Sequence, residues 1–308
     1  VGHEHYNIFL IYEPKCRLVM SLSVRDKIIN HFVTRYALEA KLTKYLDSRN
    51  VATRKGMGTD YGIRLVIKYL KKLKSNKFYI LKIDISKYFY SVDHEVLKNL
   101  LVDKLDSYEY DLICKIIDST NEEYINSTIN KIKEKNNIEV PLYYHGRGLP
   151  IGNMTSQFLS IFYLYKLDHY IVHDLKLKYY VKYMDDFIIM DSNLEKLKNA
   201  RDIIMEKLEK EYKLKVNRKK TKIVSCREGF SFLGYVFKVI NKRIVIKIKR
   251  SNLDKIKKRV KEVRYLLDNN KISHNRAFCS IMTYNNCYKY ASNIKVLKLI
   301  DRYFYHEK

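Results

Sequence analysis

Two apolar segments, each broken by aspartate, limit the folds open to this chain. The second of them, "KYYVKYMDDFIIMDS" (Lys178 to Ser192), sets two runs of aromatic and β-branched residues on either side of Asp185 and Asp186. Short apolar runs around a tight polar pair read as a β-hairpin, and Asp is a common turn residue. The first, "KFYILKIDISKYFYSVDHEVLKNLL", starting at Lys77, reads as a strand that stops near Asp84, a bend, and a helix from about His94. Adjacent carboxylates repel unless a cation or a proton separates them. A third carboxylate near the pair therefore decides whether the turn is acidic by habit or by purpose.

The pattern around these segments supplies a topology. Residues 103–145 are helical in pattern but polar, like an insertion. "GRGLPIGNMTSQFLSIFYLYKLDHYIVHDL" reads as a loop opening a long helix. After the hairpin, "LEKLKNARDIIMEKLEKEY" places Leu194, Leu197, Ile204 and Leu208 on one helical face, and strands are expected around "LKVNRKK" and "FSFLGYVFKVI". From Lys77 to Ile240 the predicted order is β, α, β, β, α, β, the split βαβ arrangement of a ferredoxin-like fold. That topology brings the end of the first strand beside the turn of the central hairpin, so Asp84 should meet Asp185 and Asp186.

The flanks are basic. Upstream lie a strand-like opening, "YNIFLIYEPKCRLVMSLS", a helical stretch from Arg25 to Tyr45 and a glycine-bearing loop, "TRKGMGTDYG". Downstream, Ser251 and Asp254 offer a cap for a helix with Leu253, Ile256, Val260, Val263 and Leu267 at apolar spacing and Lys257, Lys258, Lys261 and Arg264 on its other face. With 60 Lys and Arg against 34 Asp and Glu, the formal charge of +26 self-repels unless a polyanion shares the surface. Nucleic acid is the expected partner. Five cysteines without a CxxC pair indicate neither a disulfide framework nor a zinc site. With apolar runs too short for a membrane span, the expected setting is cytoplasmic, with no membrane partner.

Three carboxylates at a strand end and a neighbouring turn suit two Mg²⁺ ions, with Mn²⁺ as a substitute, in an all-oxygen site that clamps the attacking and leaving oxygens of a phosphoryl displacement. Asp93 is a rival carboxylate, but its place before a helix fits an N-terminal cap.

Five motifs now appear in one order: "DISKYF" (Asp84 to Phe89), "GLPIGNMTSQ" (Gly148 to Gln157), "YMDD" (Tyr183 to Asp186), "NRKKT" (Asn217 to Thr221) and "FLGY" (Phe232 to Tyr235). Together they resemble the palm motifs of reverse transcriptases, and "PKCRLVMSLSVRDKI" with "TRKGMGT" resembles the fingers of the bacterial enzymes. The resemblance runs from about Tyr12 to Tyr235. It implies an α+β polymerase right hand with fingers (1–76), a ferredoxin-like, RRM-like palm (77–245, with the helical insertion at 103–145) and a short helical thumb (246–308). Ile151, Gly152, Ser156 and Gln157 spell "IGxxxSQ" where the family more usually has "QGxxxSP". That substitution resembles the diversity-generating retroelement enzymes of bacteria and phages. The retron signatures NAxxH and VTG are not found, while defence-associated and group II intron-like enzymes remain alternatives, as does a noncatalytic RNA-binding scaffold.

The resemblance also implies roles. Asp84, Asp185 and Asp186 hold the metals, with the backbone of Ile85 alongside. Phe89 is the steric gate against a ribose 2′-hydroxyl, the alternative being core packing. Lys15, Arg17, Ile85, Phe89, Ile151, Gly152 and Gln157 surround the dNTP, with Arg17 gripping its triphosphate. Arg25, Arg54, Lys55, Tyr183, Met184, Gly234, Lys257, Lys258, Lys261 and Arg264 face template and primer. Lys220 is a catalytic proton donor to pyrophosphate, with Lys219 adjacent as an alternative. The implied partners are an RNA template, a DNA or RNA primer, dNTPs and a small basic accessory protein. Ile151 in place of a polar anchor implies error-prone copying.

Overall fold

The computed structural model describes residues 5–12, 16–75, 77–291 and 298. Along the chain, β1 (Asn7–Ile11) and β2 (Arg17–Ser21) precede α1 (Val24–Val33), which widens into a π-helical turn (Thr34–Glu39) before α2 (Ala40–Leu42) and a 3₁₀ turn (Thr43–Tyr45). Then come α3 (Thr59–Leu73), β3 (Tyr79–Ile83), the short α4 (Tyr88–Ser91), α5 (His94–Leu101), α6 (Ser107–Asp118) and α7 (Glu123–Asn136). α8 (Met154–Tyr163) and α9 (Tyr165–His169) lead through a second π-helical turn (Tyr170–Asp174) to β4 (Tyr179–Tyr183) and β5 (Asp186–Asp191). The chain continues as α10 (Leu194–Lys210), β6 (Lys222–Ser225), β7 (Phe230–Phe232), β8 (Tyr235–Ile240), β9 (Arg243–Ile248), α11 (Arg250–Asp268) and α12 (His274–Cys287).

Two compact units emerge. The first comprises Val1–Gly62, Leu81–Asp191 and Glu195–Ile223; the second comprises Ile63–Ile80, Ser192–Leu194 and Val224–Lys308. In the first, β1 and β2 form an antiparallel hairpin whose inner residues Ile8, Leu18 and Met20 join Ile125 and Ile129 of α7 in one buried cluster. The antiparallel pair β4–β5 stands beside β3 in a sheet of order β4-β5-β3-β6. β5 lies inside the sheet, between β4 and β3, and is apolar on both faces: Phe187, Ile188, Ile189 and Met190 are all buried. α10 buries Leu197, Ala200, Ile204 and Leu208 in the helical stripe that the sequence spacing predicts.

Three local expectations are corrected. "LKVNRKK" is not a strand: Val216 makes an isolated bridge to Ile85, and a turn follows in which Lys220 N and Thr221 N both donate to Asn217 O. Its side chains are mostly charged and need solvent, so the sheet's outer strand forms one step later, at Lys222. β9 was not anticipated. Asn241 and Lys242 both take positive φ (48° and 60°), the signature of a two-residue hairpin turn, but without the glycine that usually announces one. Residue 246 consequently falls inside a strand, and Ser251 and Asp254 lie within α11, whose cap position is Lys249 with no side-chain cap.

The second unit holds the three-stranded sheet β7-β8-β9 and the helix pair α11 and α12. Ile256, Val260 and Val263 of α11 pack with Ala277 and Ile281 of α12, each large side chain contributing roughly 1.5–3 kcal/mol of burial. Lys258 and Lys261 are exposed on the other face, while Lys257 and Arg264 are half-buried.

Candidate active site

β3 ends at Ile83, so Asp84 is the first residue past the strand, and it is held there by main-chain bonds. Asn217 N donates to Asp84 O (2.8 Å), Asp84 N donates to Thr221 Oγ1 (3.2 Å), and Ser86 N donates to Lys215 O (2.9 Å). The basic loop that failed to become a strand therefore clamps the strand end that carries the first carboxylate. The same clamp brings Lys220 Nζ to 4.0 Å from Asp84 Oδ2, in a half-exposed setting. Of the two adjacent lysines, Lys220 is the one with an ion-pair contact to Asp84 among the described residues.

In the hairpin, Tyr183 pairs with Asp186, which leaves Met184 and Asp185 as the two turn residues. Met184 takes φ 56°, a left-handed value that the first position of such a turn normally reserves for glycine. Ser160 Oγ donates to its sulfur at 3.5 Å, tying the turn to α8. The turn presents Asp185, whose pKa is raised: burial comes first among the causes, and the charges of Asp186 and Asp84 add to it, while Arg17 opposes the shift. These interactions join strand end, hairpin turn and Arg17 of β2 into one electrostatic site.

Sequence reasoning missed Lys82. It shares a face of β3 with Asp84, two residues on, and its Nζ sits 2.8 Å from Asp186 Oδ1. Period-two alternation in "YILKID" was the available signal. Asp93, by contrast, behaves as a cap: its side chain accepts from Val96 N (3.1 Å), and Lys213 and Arg147 surround it.

The remaining predicted residues distribute as follows. Phe89 is half-buried in α4, its ring edge-on to Tyr88 and its carbonyl accepting from Leu149 N (2.7 Å). Ile85 is buried. Ile151 O accepts from Met20 N (2.7 Å), which ties this loop to β2, and Gly152 (φ 130°) leaves no room for a side chain because a Cβ would lie 2.7 Å from Met20 O. Gln157 is exposed on the first turn of α8, and Arg25 and Lys55 are exposed. Arg54 turns inward, its Nη1 donating to the carbonyls of Asp47 (2.7 Å) and Asn50 (3.0 Å), so that nitrogen is committed to the fold. Gly234 belongs to the second unit, where Lys249 N donates to its carbonyl and a Cβ would lie 2.9 Å from Asn252 Nδ2. Lys15 lies outside the described residues.

Behind the turn is a second missed feature. Lys182, in the middle of β4, is fully buried and points its Nζ to within 2.7 Å of the fully buried Asp168 Oδ2. Tyr180 OH donates to Asp168 Oδ1 (2.6 Å) and Asn50 Nδ2 to Asp168 Oδ2 (3.1 Å). Burial lowers the Lys182 pKa, and the Asp168 charge opposes that shift. Lys182 N and O also bond Arg49 O and Val51 N (both 2.9 Å), so residues 49–51 line the free side of β4.

Residues 13–237 match a family model described as reverse transcriptase (RNA-dependent DNA polymerase). The chain belongs to the reverse transcriptase family. Solved structures agree at the level of fold. A telomerase from Candida tropicalis, truncated from its C-terminal domain, superposes with TM-score 0.54 at 14% identity, over 80% of this chain and 55% of that one. Telomerase from Candida albicans, in complex with a TWJ fragment of telomeric RNA, superposes with TM-score 0.53 at 14% identity, over 99% of this chain and 60% of that one. This reverse transcriptase chain thus spans a little over half the length of those telomerases. No curated protein sequence matches it. Among the described residues, no helix is long and apolar enough to cross a membrane.

Proposed function

We propose that the chain copies an RNA template into DNA, adding dNTPs to a primer 3′-hydroxyl, with residues 1–76 as fingers, 77–245 as palm and 246–308 as thumb. The observation that carries this reading is the meeting of Asp84, past the end of β3, with Asp185 and Asp186 at the β4–β5 turn, in a chain whose residues 13–237 match the family. A carboxylate whose pKa is raised by burial and by two acidic neighbours forms with them a donor set suited to a divalent cation. Asp84, Asp185 and Asp186 would hold Mg²⁺, which supplies charge neutralisation of the triphosphate and acidifies the primer hydroxyl.

The protein's own groups do the rest. Lys82 balances Asp186 and keeps its carboxylate from swinging out of the site. Arg17 brings positive charge to the same side, where a guanidinium fork suits paired phosphate oxygens. Lys220, next to Asp84, has a proton to give to departing pyrophosphate. Phe89 fills space with a ring that offers a ribose 2′-hydroxyl no hydrogen bond, which favours deoxynucleotides by overlap.

The finer reading is a diversity-generating retroelement enzyme that copies with errors. Its support is Ile151, which contributes its carbonyl to β2 and an apolar side chain where a polar anchor would fix the incoming nucleotide. Replacing Ile151→Gln should lower misincorporation opposite template adenine in primer extension, and unchanged errors would remove the support.

Primer extension on a primed RNA, with dNTPs and rNTPs supplied separately, tests the main reading. Extension with dNTPs is expected, and Asp185→Asn should reduce it by at least ~10³-fold. Equal use of rNTPs would favour an RNA polymerase, full extension by Asp185→Asn would overturn the role given to that carboxylate, and RNA binding with no extension by the wild type would leave a noncatalytic scaffold.

A further inference from the structure

Away from the aspartates, the first unit gathers a different donor set. Asp47 follows the 3₁₀ turn at Thr43–Tyr45, and His169 and His173 stand four residues apart where α9 widens into its π-helical turn. One ligand atom from each of the three lies within 4.8 Å of the others. The two imidazole rings are near parallel, 17° apart with centroids 5.7 Å apart, so they do not hydrogen-bond edge to edge.

Each donor is already oriented. His169 Nε2 lies 2.7 Å from Tyr45 O. A carbonyl only accepts, so Nε2 carries the ring's proton and the lone pair is left on Nδ1. A backbone carbonyl holding the far nitrogen of a histidine is the usual outer support of a metal-ligating imidazole. Asp47 is buried, and Arg49 fixes its carboxylate through Nη1 (3.1 and 3.0 Å to the two oxygens) and through its main-chain N (2.7 Å to Oδ1). Carboxylate oxygens have lone pairs beyond those bonds. His173 is exposed and completes the set from the solvent side.

We propose that Asp47, His169 and His173 form a binding site for a transition-metal cation of the Zn²⁺ class. Two imidazoles and one carboxylate suit Zn²⁺, Co²⁺ or Ni²⁺, whereas Mg²⁺ prefers all-oxygen, partly hydrated sites. Three protein ligands leave a fourth position to water. The guanidinium of Arg49 repels the incoming cation, so the site binds more weakly than a closed four-ligand structural site. Its consequence is mechanical: the cation ties the Tyr45–Arg49 segment to α9, directly before the residues that pair with β4. The proposal stands independently of the polymerase reading.

The experiment uses the full chain, freed of any affinity tag and stripped of metal, in excess Mg²⁺. Equilibrium dialysis should find one Zn²⁺ per chain, and Co²⁺ should show visible d–d bands without the thiolate charge-transfer absorption that the exposed Cys16, Cys279 and Cys287 would give. His173→Ala should weaken Zn²⁺ at least ~10-fold. It should also abolish the Zn²⁺-dependent rise in melting temperature while far-UV circular dichroism and primer extension in Mg²⁺ stay unchanged. Binding undiminished in His173→Ala, a thiolate signature, or no Zn²⁺ on the wild type overturns the proposal.

Discussion

Lys182 and Asp185 stand three residues apart on one hairpin and occupy opposite electrostatic settings. Lys182 meets Asp168 in a sealed interior where Tyr180 and Asn50 complete the hydrogen bonds of the carboxylate. Asp185 is half-buried, and the charges of Asp186 and Asp84 add to the effect of burial on its pKa while Arg17 opposes them. In the first case the carboxylate and its partner hold a strand in place. In the second, burial and neighbouring like charges hold the Asp185 pKa up. The difference lies between two carboxylates near one hairpin: Asp168 is matched by a cation inside the fold, whereas Asp185 keeps like charges beside it although Lys82 pairs with its neighbour Asp186.

The contrast can be broken most severely from the support side. Lys182→Met leaves Asp168 buried beside no cation, and should cost about 3–5 kcal/mol, read as a lower urea midpoint at unchanged slope. Adding Asp168→Asn should recover part of that loss, because the uncompensated charge is gone. A cost under ~1 kcal/mol for Lys182→Met would mean that the pair is not the sealed support described here.

The site side should respond with the opposite sign. The folded state holds the Asp185 proton more tightly than the unfolded chain, so that stabilisation is full at low pH and is lost as pH rises through the raised pKa. Metal-free Asp185→Asn should therefore melt a few degrees above the wild type at neutral pH, with the gap closing in acid. Calorimetry at the two pH values checks this, and a pH-independent gap would mean the gain is not electrostatic. The smallest effect belongs to Met184→Gly. It relieves a left-handed φ and should stabilise the turn by about 1 kcal/mol or less, visible as a small rise in the urea midpoint.

The convergence of the three carboxylates was legible in the sequence and the buried supporting pair was not. Asp84 and Asp185–Asp186 are marked by strand-length apolar runs that stop at acidic residues, and a βαββαβ order suffices to bring them together. Lys182 sits inside one of those runs, and alternation says only that a strand residue faces one side or the other. Whether that side is solvent or a buried aspartate depends on Asp168, whose helix looks like any apolar helix in the sequence. Lys82 was within reach of the period-two rule, since it shares a face with Asp84. β9 was hidden by a turn that uses Asn241 and Lys242 without glycine, and the outer strand was displaced because the charged stretch at 213–220 serves as a clamp on Asp84.

β4 is the last strand on its side of the sheet, and the segment around Asn50 lies along it through a single parallel bridge. An uncovered strand at that position offers its amides and carbonyls to any passing chain, the usual route to domain swapping and fibrous assembly. Arg49–Val51 takes up those groups at Lys182. Arg49–Val51 thereby covers part of the edge of the hairpin that carries Asp185, and a deletion that shortened the 46–52 loop should show first as aggregation during expression.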